Sequence, residues 1–200
     1  MSEATVFHLL GHPGVGKLTV ARALAARANA QGARLIVVDN HLTSLPILAV
    51  LDHDGSSALP EGTWELVGEI RDRVHRAICE LAPPDRSFVF TNVVVESDAR
   101  GQRTIERVRT VARSRDARYV PVLLTCERAE HRRRIAASGR EERRKWTDPD
   151  AVDAFVERER LVRPETFMLE IDVTALDPEA AAGIILATAD LPVRSSPLQS

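Results

Sequence analysis

Gly11-His12-Pro13-Gly14-Val15-Gly16-Lys17-Leu18-Thr19 decides how this chain is read. Before it, Thr5-Val6-Phe7-His8-Leu9-Leu10 is a short apolar run that reads as a buried strand. After it, Val20-Ala21-Arg22-Ala23-Leu24-Ala25-Ala26-Arg27-Ala28 reads as a helix. Glycines let backbone N–H groups turn inward around an anion without Cβ clashes, and the helix N-terminus adds partial positive charge. Strand, glycine-rich turn, lysine and helix is the arrangement of a phosphate-binding loop, with Lys17 reaching the β- and γ-phosphates. Residues Gly11, His12, Pro13, Gly14, Val15, Gly16, Lys17, Leu18 and Thr19 are therefore the candidate nucleotide-binding residues.

The pattern carries an offset. The common form places Ser or Thr directly after the lysine, as a Mg²⁺ ligand. Leu18 stands there, and Thr19 follows as the candidate metal ligand.

Around the loop the chain alternates strands and helices. Arg34–Asp39, Ser87–Asn92, Arg118–Cys126 and Phe167–Val173 read as further strands. Pro121 has no N–H for the ladder, so the fourth strand is expected to bulge or start irregularly. Leu42–Leu51 is expected to be helical after Pro46, with Thr63, Asp98, Asp148 and Asp177 opening later helices. Five apolar strands separated by helices predict an α/β fold with a parallel, doubly wound sheet and the loop at its C-terminal edge. The expected organisation is one domain over residues 1–190, with an arginine-rich lid at about 127–147 and a flexible tail at 191–200.

Composition narrows the function. The chain has 200 residues, 44% hydrophobic and 28% charged, with net charge −2. That balance gives no global reason to expect nucleic acid or an anionic membrane as partner. No apolar run is long enough to span a bilayer, and Met1-Ser2-Glu3-Ala4 lacks a basic leader. Cys79 and Cys126 lack metal-ligand spacing. A cytoplasmic protein with reduced thiols is the simplest expectation. Lysine occurs only at Lys17 and Lys145, so 25 of the 27 basic residues are arginine. A compact ammonium stands at the phosphate loop, where a point charge is wanted.

Three further groups can carry chemistry. Asp39, Asn40 and His41 end the second strand, on the same sheet edge as the loop. Asp39 is the candidate to orient an acceptor hydroxyl or accept its proton. Asn92 ends the third strand, where a Mg²⁺-associated Asp commonly stands, and Glu96 and Asp98 are the nearest acids. The third group is Arg128, Arg132, Arg133, Arg134, Arg140, Arg143, Arg144 and Lys145 against Glu127, Glu130, Glu141 and Glu142. It leaves +4 in nineteen residues of a chain whose total is −2. On a helix only part of the triplet at 132–134 can face inward. Arg133 and Arg140 are taken as the catalytic arginines, with Gly139 as hinge. Trp64 and Trp146 read as packing residues.

The offset loop GxPGxGK-x-T resembles that of the adenylate kinase, shikimate kinase and gluconate kinase group of phosphate-loop kinases. Leu18 stands where adenylate kinases have glycine, and Asp39 is similar in position to the aspartate of shikimate kinases. The resemblance implies a P-loop fold, ATP and Mg²⁺ as cofactors, and an arginine lid closing over the phosphoryl group. It implies transfer of the γ-phosphoryl group to a small hydroxyl-bearing acceptor. Asn92-Val93-Val94-Val95-Glu96-Ser97 is not the DGFPR-like element of adenylate-type kinases, which argues against a nucleoside monophosphate acceptor. The guanine-reading NKxD pattern is absent, which favours ATP over GTP. Two alternatives stand beside this reading. One is a nucleotide-binding interaction module or ATPase without transfer activity. The other is a kinase or ATPase acting on nucleic acid through the arginine segment.

Overall fold

The computed structural model describes residues 4–54, 57–137, 147–163 and 168–189. In chain order the elements are β1 (Thr5–Leu10), α1 (Lys17–Ala30), β2 (Leu35–Asp39), α2 (His41–Val50), α3 (Thr63–Glu80) and β3 (Ser87–Asn92). α4 (Ala99–Ser114), β4 (Arg118–Thr125), α5 (Arg128–Ala136), α6 (Pro149–Arg158), β5 (Leu169–Asp172) and α7 (Pro178–Ala189) follow. The strands form one parallel sheet in the order β2-β3-β1-β4-β5. β1 is central, so the loop that follows it emerges at the middle of the C-terminal edge.

Strand alternation sorts the core into two layers. Phe7 and Leu9 point to one face, where Leu24 of α1 and Ile185 of α7 cover them with Val122 and Leu124. Small residues at this contact, Ala21, Ala181 and Ala182, are fully buried and let α1 and α7 lie close together. Val6 points to the other face with Phe88, Phe90, Val108 and Val111. Leu10 joins it through Ile105 and Leu123. Both faces are covered, which is why the strands read as continuous apolar runs.

Several local expectations are corrected. β4 is regular across Pro121, which stays in register opposite His8. β5 begins only at Leu169, opposite Val122, so at Pro121 β4 has a strand on one side only and the missing donor breaks no ladder there. α2 starts at His41, before Pro46, and carries the proline on its exposed side. At Thr63 the cap is Gly62 in the left-handed region, while the Thr63 hydroxyl donates to the Pro60 carbonyl at 2.7 Å. Trp64 is not a packing residue: it is 40% exposed. Asp98 and Asp148 cap as expected, accepting from the N–H of Arg100 and Asp150. The tail at 191–200, Gly139 and Trp146 lie outside the described residues. No helix among the described residues is long and apolar enough to cross a membrane.

A buried polar chain crosses the sheet where the sequence read only apolar strand. The Tyr119 hydroxyl donates to His8 Nδ1 at 3.0 Å, and His8 Nε2–H donates to Asn92 Oδ1 at 3.0 Å. Asn92 Nδ2 donates to Asn40 Oδ1 at 3.1 Å, which also accepts from Arg71 Nη2 at 2.8 Å. His8 is 0% exposed, and burial lowers its pKa to about 4. A ring charged in the unfolded chain below about 6.5 but neutral in the fold makes stability fall as pH drops from 6.5 toward 4. For His8 the expected slope is about 1.4 kcal/mol per pH unit in that window. Thermal melts between pH 7 and pH 4 measure it. His8→Gln keeps an amide donor and is expected to remove one histidine's share of the slope.

Candidate functional site

The phosphate loop is held from two sides. Gly16, at φ 109°, turns the chain into α1, which begins at Lys17. The helix therefore opens with its free N–H groups at the loop. Lys17 Nζ donates to the carbonyls of Gly11 and His12, each at 2.8 Å. The ammonium thus lies back across the loop mouth, ready to exchange a neutral carbonyl for a charged phosphate oxygen.

α5 holds the other side. His131, 5% exposed, donates from Nε2 to the Pro13 carbonyl at 2.7 Å. Arg134 donates from Nη1 to the Val15 carbonyl at 2.9 Å and from Nη2 to the Val173 carbonyl at 2.7 Å. Ile135, 1% exposed, packs so closely on Gly14 that a Cβ there would lie 2.1 Å from its Cδ1. One helix face therefore grips Pro13, Gly14 and Val15 and ties them to the turn after β5.

The arginine triplet divides by helical rotation, as its spacing requires. Arg132 turns to α6, meeting Asp150 at 2.8 Å and Asp153 at 2.6 Å, and Arg128 joins it on Asp153. The hydrogen bond from Arg132 holds the Asp153 carboxyl below its ordinary range, against the opposing effect of burial. Arg133 faces solvent and pairs with Glu130. Arg134 is the member on the loop, and it too is held by Glu130, at 2.7 Å. Hydrogen bonds from Arg133 and then Arg134 bring the Glu130 pKa down to about 2. Arg133, expected as a catalytic arginine, thus lies away from the loop on Glu130, Arg134 is the member placed at the loop, and Arg140 lies outside the described residues. The described part of the lid segment is a helix docked on the loop. We expect Arg134→Ala to cost about 1–3 kcal/mol in thermal or urea unfolding, because buried carbonyls lose a charged donor. Arg133→Ala is expected to stay within about 0.5 kcal/mol.

Asp39 ends β2, separated from β1 by β3, and its Oδ1 accepts from the Thr91 hydroxyl at 2.6 Å. Asn92 is engaged at both ends of its amide by His8 and Asn40. Thr19 is exposed, one residue further round α1 than Leu18. No group of three His, Cys, Asp or Glu able to hold a metal ion exists among the described residues.

A cavity of about 590 Å³ opens beside the loop. His12, Val15 and His131 form one wall, the end of β4 from Leu123 to Thr125 and the following Cys126 another. Its far wall is a short antiparallel contact that the sequence did not reveal. Glu96 N–H donates to the Arg160 carbonyl and Val162 N–H to the Val94 carbonyl, each at 2.9 Å. Cys126 lines this cavity as a free thiol. The grip of α5 was legible in part, since His131, Arg134 and Ile135 share one face by i, i+3, i+4 spacing. The cavity wall was not, because residues 94–96 and 160–162 meet only through the fold.

No protein-family model matches this chain. No curated protein matches it either. Solved structures do. The APS kinase CysC of Mycobacterium tuberculosis, in complex with AMPPNP and APS, is 13% identical, covers 96% of this chain and 100% of its own, and has a TM-score of 0.61. A gluconokinase from Sinorhizobium meliloti 1021 is 15% identical over 94% of this chain and 95% of its own, with a TM-score of 0.57. Chaetomium thermophilum Kti12, in complex with ADP-AlF3, is 16% identical over 92% of this chain and 96% of its own, at a TM-score of 0.57. The chain has the P-loop kinase-like fold.

Proposed function

We propose that this chain, built on the P-loop kinase-like fold, is a phosphotransferase that moves the γ-phosphoryl group of ATP to a small hydroxyl-bearing acceptor. One observation carries the reading: Lys17 Nζ is held at the mouth of a glycine loop, 2.8 Å from two carbonyls, beside a cavity of about 590 Å³. In the proposed reaction the loop N–H groups and Lys17 hold the β- and γ-phosphates and neutralise charge as it shifts toward the leaving oxygen. Arg134 and His131 keep the loop in its binding shape. Phosphates and water would carry most of the Mg²⁺ coordination with the nucleotide, with Thr19 as the candidate ligand from the loop. Three solved neighbours named for kinase activity or crystallised with nucleotide support this reading at the level of fold. A cytoplasmic location, where ATP is abundant, belongs to the same proposal.

Phosphorus NMR of MgATP with a panel of hydroxyl-bearing metabolites tests it. The expected result is ADP together with one new phosphate-ester signal, lost in Lys17→Ala. A folded, ATP-binding protein that makes no ester and hydrolyses no ATP above background favours a nucleotide-binding interaction module instead. Leu18 in place of a hydroxyl after the lysine, and Asn92 locked by His8, are the observations on that side.

A further inference from the structure

We propose that the cavity beside the phosphate loop is the acceptor pocket, and that His12 is the group that meets the acceptor's hydroxyl. The inference rests on the phosphotransferase reading and adds where the acceptor lies and which residue serves it. It also moves the acceptor away from Asp39, which ends an edge strand, already accepts from Thr91 and is not among the residues lining the cavity.

His12 occupies a distinctive place. It is the second residue of the loop, and its own carbonyl receives Lys17 Nζ at 2.8 Å. Its ring stands edge-on to Phe155 of α6, with centroids 6.1 Å apart, and lines the cavity. Nδ1 is buried and has no hydrogen-bond partner among the described residues. It is closed to water, so a ligand's hydroxyl in the cavity would meet the ring's other nitrogen, Nε2. The cavity also supplies polar groups for the rest of the molecule. Glu96 and Arg160 line it from the two segments joined by the Val95–Leu161 bridge. A small alcohol with both polar and apolar parts fits this lining of Val15, Leu124 and Val156 beside Glu96 and Arg160.

The electrostatics agree with the role. Burial, then Lys17, then His131 lower the His12 pKa to about 4. The ring is therefore neutral near pH 7 and has a lone pair for the hydroxyl proton. In the proposed step the acceptor oxygen bonds to the γ-phosphorus. The bond from that phosphorus to the β,γ-bridging oxygen breaks, and its electron pair leaves with ADP. The hydroxyl proton passes to His12, which later returns it to water. Lys17 and His131 disfavour the imidazolium in the free protein. A bound polyphosphate opposes both and favours it, so nucleotide binding should raise the His12 pKa.

The test has two readouts on the full chain. Histidine side-chain nitrogen NMR follows His12 with and without AMPPNP. The expected result is titration near 4 in the free protein and an upward shift of at least one unit with the analogue. In phosphorus NMR with the acceptor panel, His12→Asn is expected to lower kcat for ester formation at least about a hundredfold. Its melting temperature should stay near wild type, and the loss should fall on kcat rather than on KM for ATP. Val156→Trp, which fills the cavity from α6, should lose ester formation in the same way. An unmoved His12 pKa, full transfer by His12→Asn, or a larger loss in Asp39→Asn would each overturn the inference while leaving the phosphotransferase reading intact. Failure of the wild type to form any ester from ATP removes that reading, and the inference falls with it.

Discussion

Lys17→Ala is expected to weaken binding of an ATP analogue at least about a hundredfold and to abolish turnover, while the protein stays folded. The ammonium donates to the Gly11 and His12 carbonyls at 2.8 Å, so it is already at the loop mouth when nucleotide arrives. A hydrogen bond to a charged group contributes about 1.5–3 kcal/mol, and the lysine of such a loop serves two phosphates. Losing about 3 kcal/mol corresponds to the hundredfold change. The side chain is half-buried at a solvent-facing edge, so the cost to stability is small. Titration calorimetry with AMPPNP, paired with a thermal melt, reads both quantities. An affinity within threefold of wild type, in a folded variant, would mean that the loop does not hold the phosphates.

Gly14→Val is expected to be strongly destabilising. Gly14 has φ +89°, a conformation that a residue with a Cβ adopts at a cost of about 1–3 kcal/mol. Any Cβ would also stand 2.1 Å from Ile135 Cδ1 and 3.3 Å from His131 Nε2. Overpacking adds about 1–3 kcal/mol. Together these give about 2–6 kcal/mol, or roughly 5–20 °C in melting temperature for a chain of this size. Ile135 is 1% exposed, so its tip has little room to turn aside and relief is expected to shift α5 on the loop, weakening the His131 and Arg134 bonds and lowering nucleotide affinity. Gly32→Ala is the control. Gly32 has φ +87° with nothing within 4 Å of the added carbon. It should cost only the backbone strain and leave nucleotide binding unchanged. Equal effects of the two changes would show that the contact with Ile135 is immaterial.

Much of this architecture is local in origin and could be read in order. The strand before Gly11, the glycine turn and the alanine-rich helix after it obey short-range rules, and so do the caps at Asp98 and Asp148. The boundary errors are local as well. Pro46 sits inside α2, where one lost donor on an exposed side is cheaper than a helix that starts five residues later. His8 was hidden because one polar residue in an apolar strand looks like noise. Its partners Tyr119 and Asn92 lie 111 and 84 residues away. The arginine-rich segment was legible as a charged helix but not in its directions. Helical rotation says that the triplet must divide, and only the positions of α6 and the loop say that Arg134 turns inward and Arg133 outward.

By itself, the sequence determined the phosphate loop at Gly11–Thr19, the α/β order and the parallel sheet, because each follows from spacing and backbone preference within a few residues. Only the tertiary structure decided what surrounds that loop. The grip of His131, Arg134 and Ile135, the engagement of Asp39 and Asn92 by neighbours, and the cavity closed by residues 94–96 and 160–162 join segments up to 119 positions apart. Such contacts are set by strand order and helix docking, which no local pattern encodes.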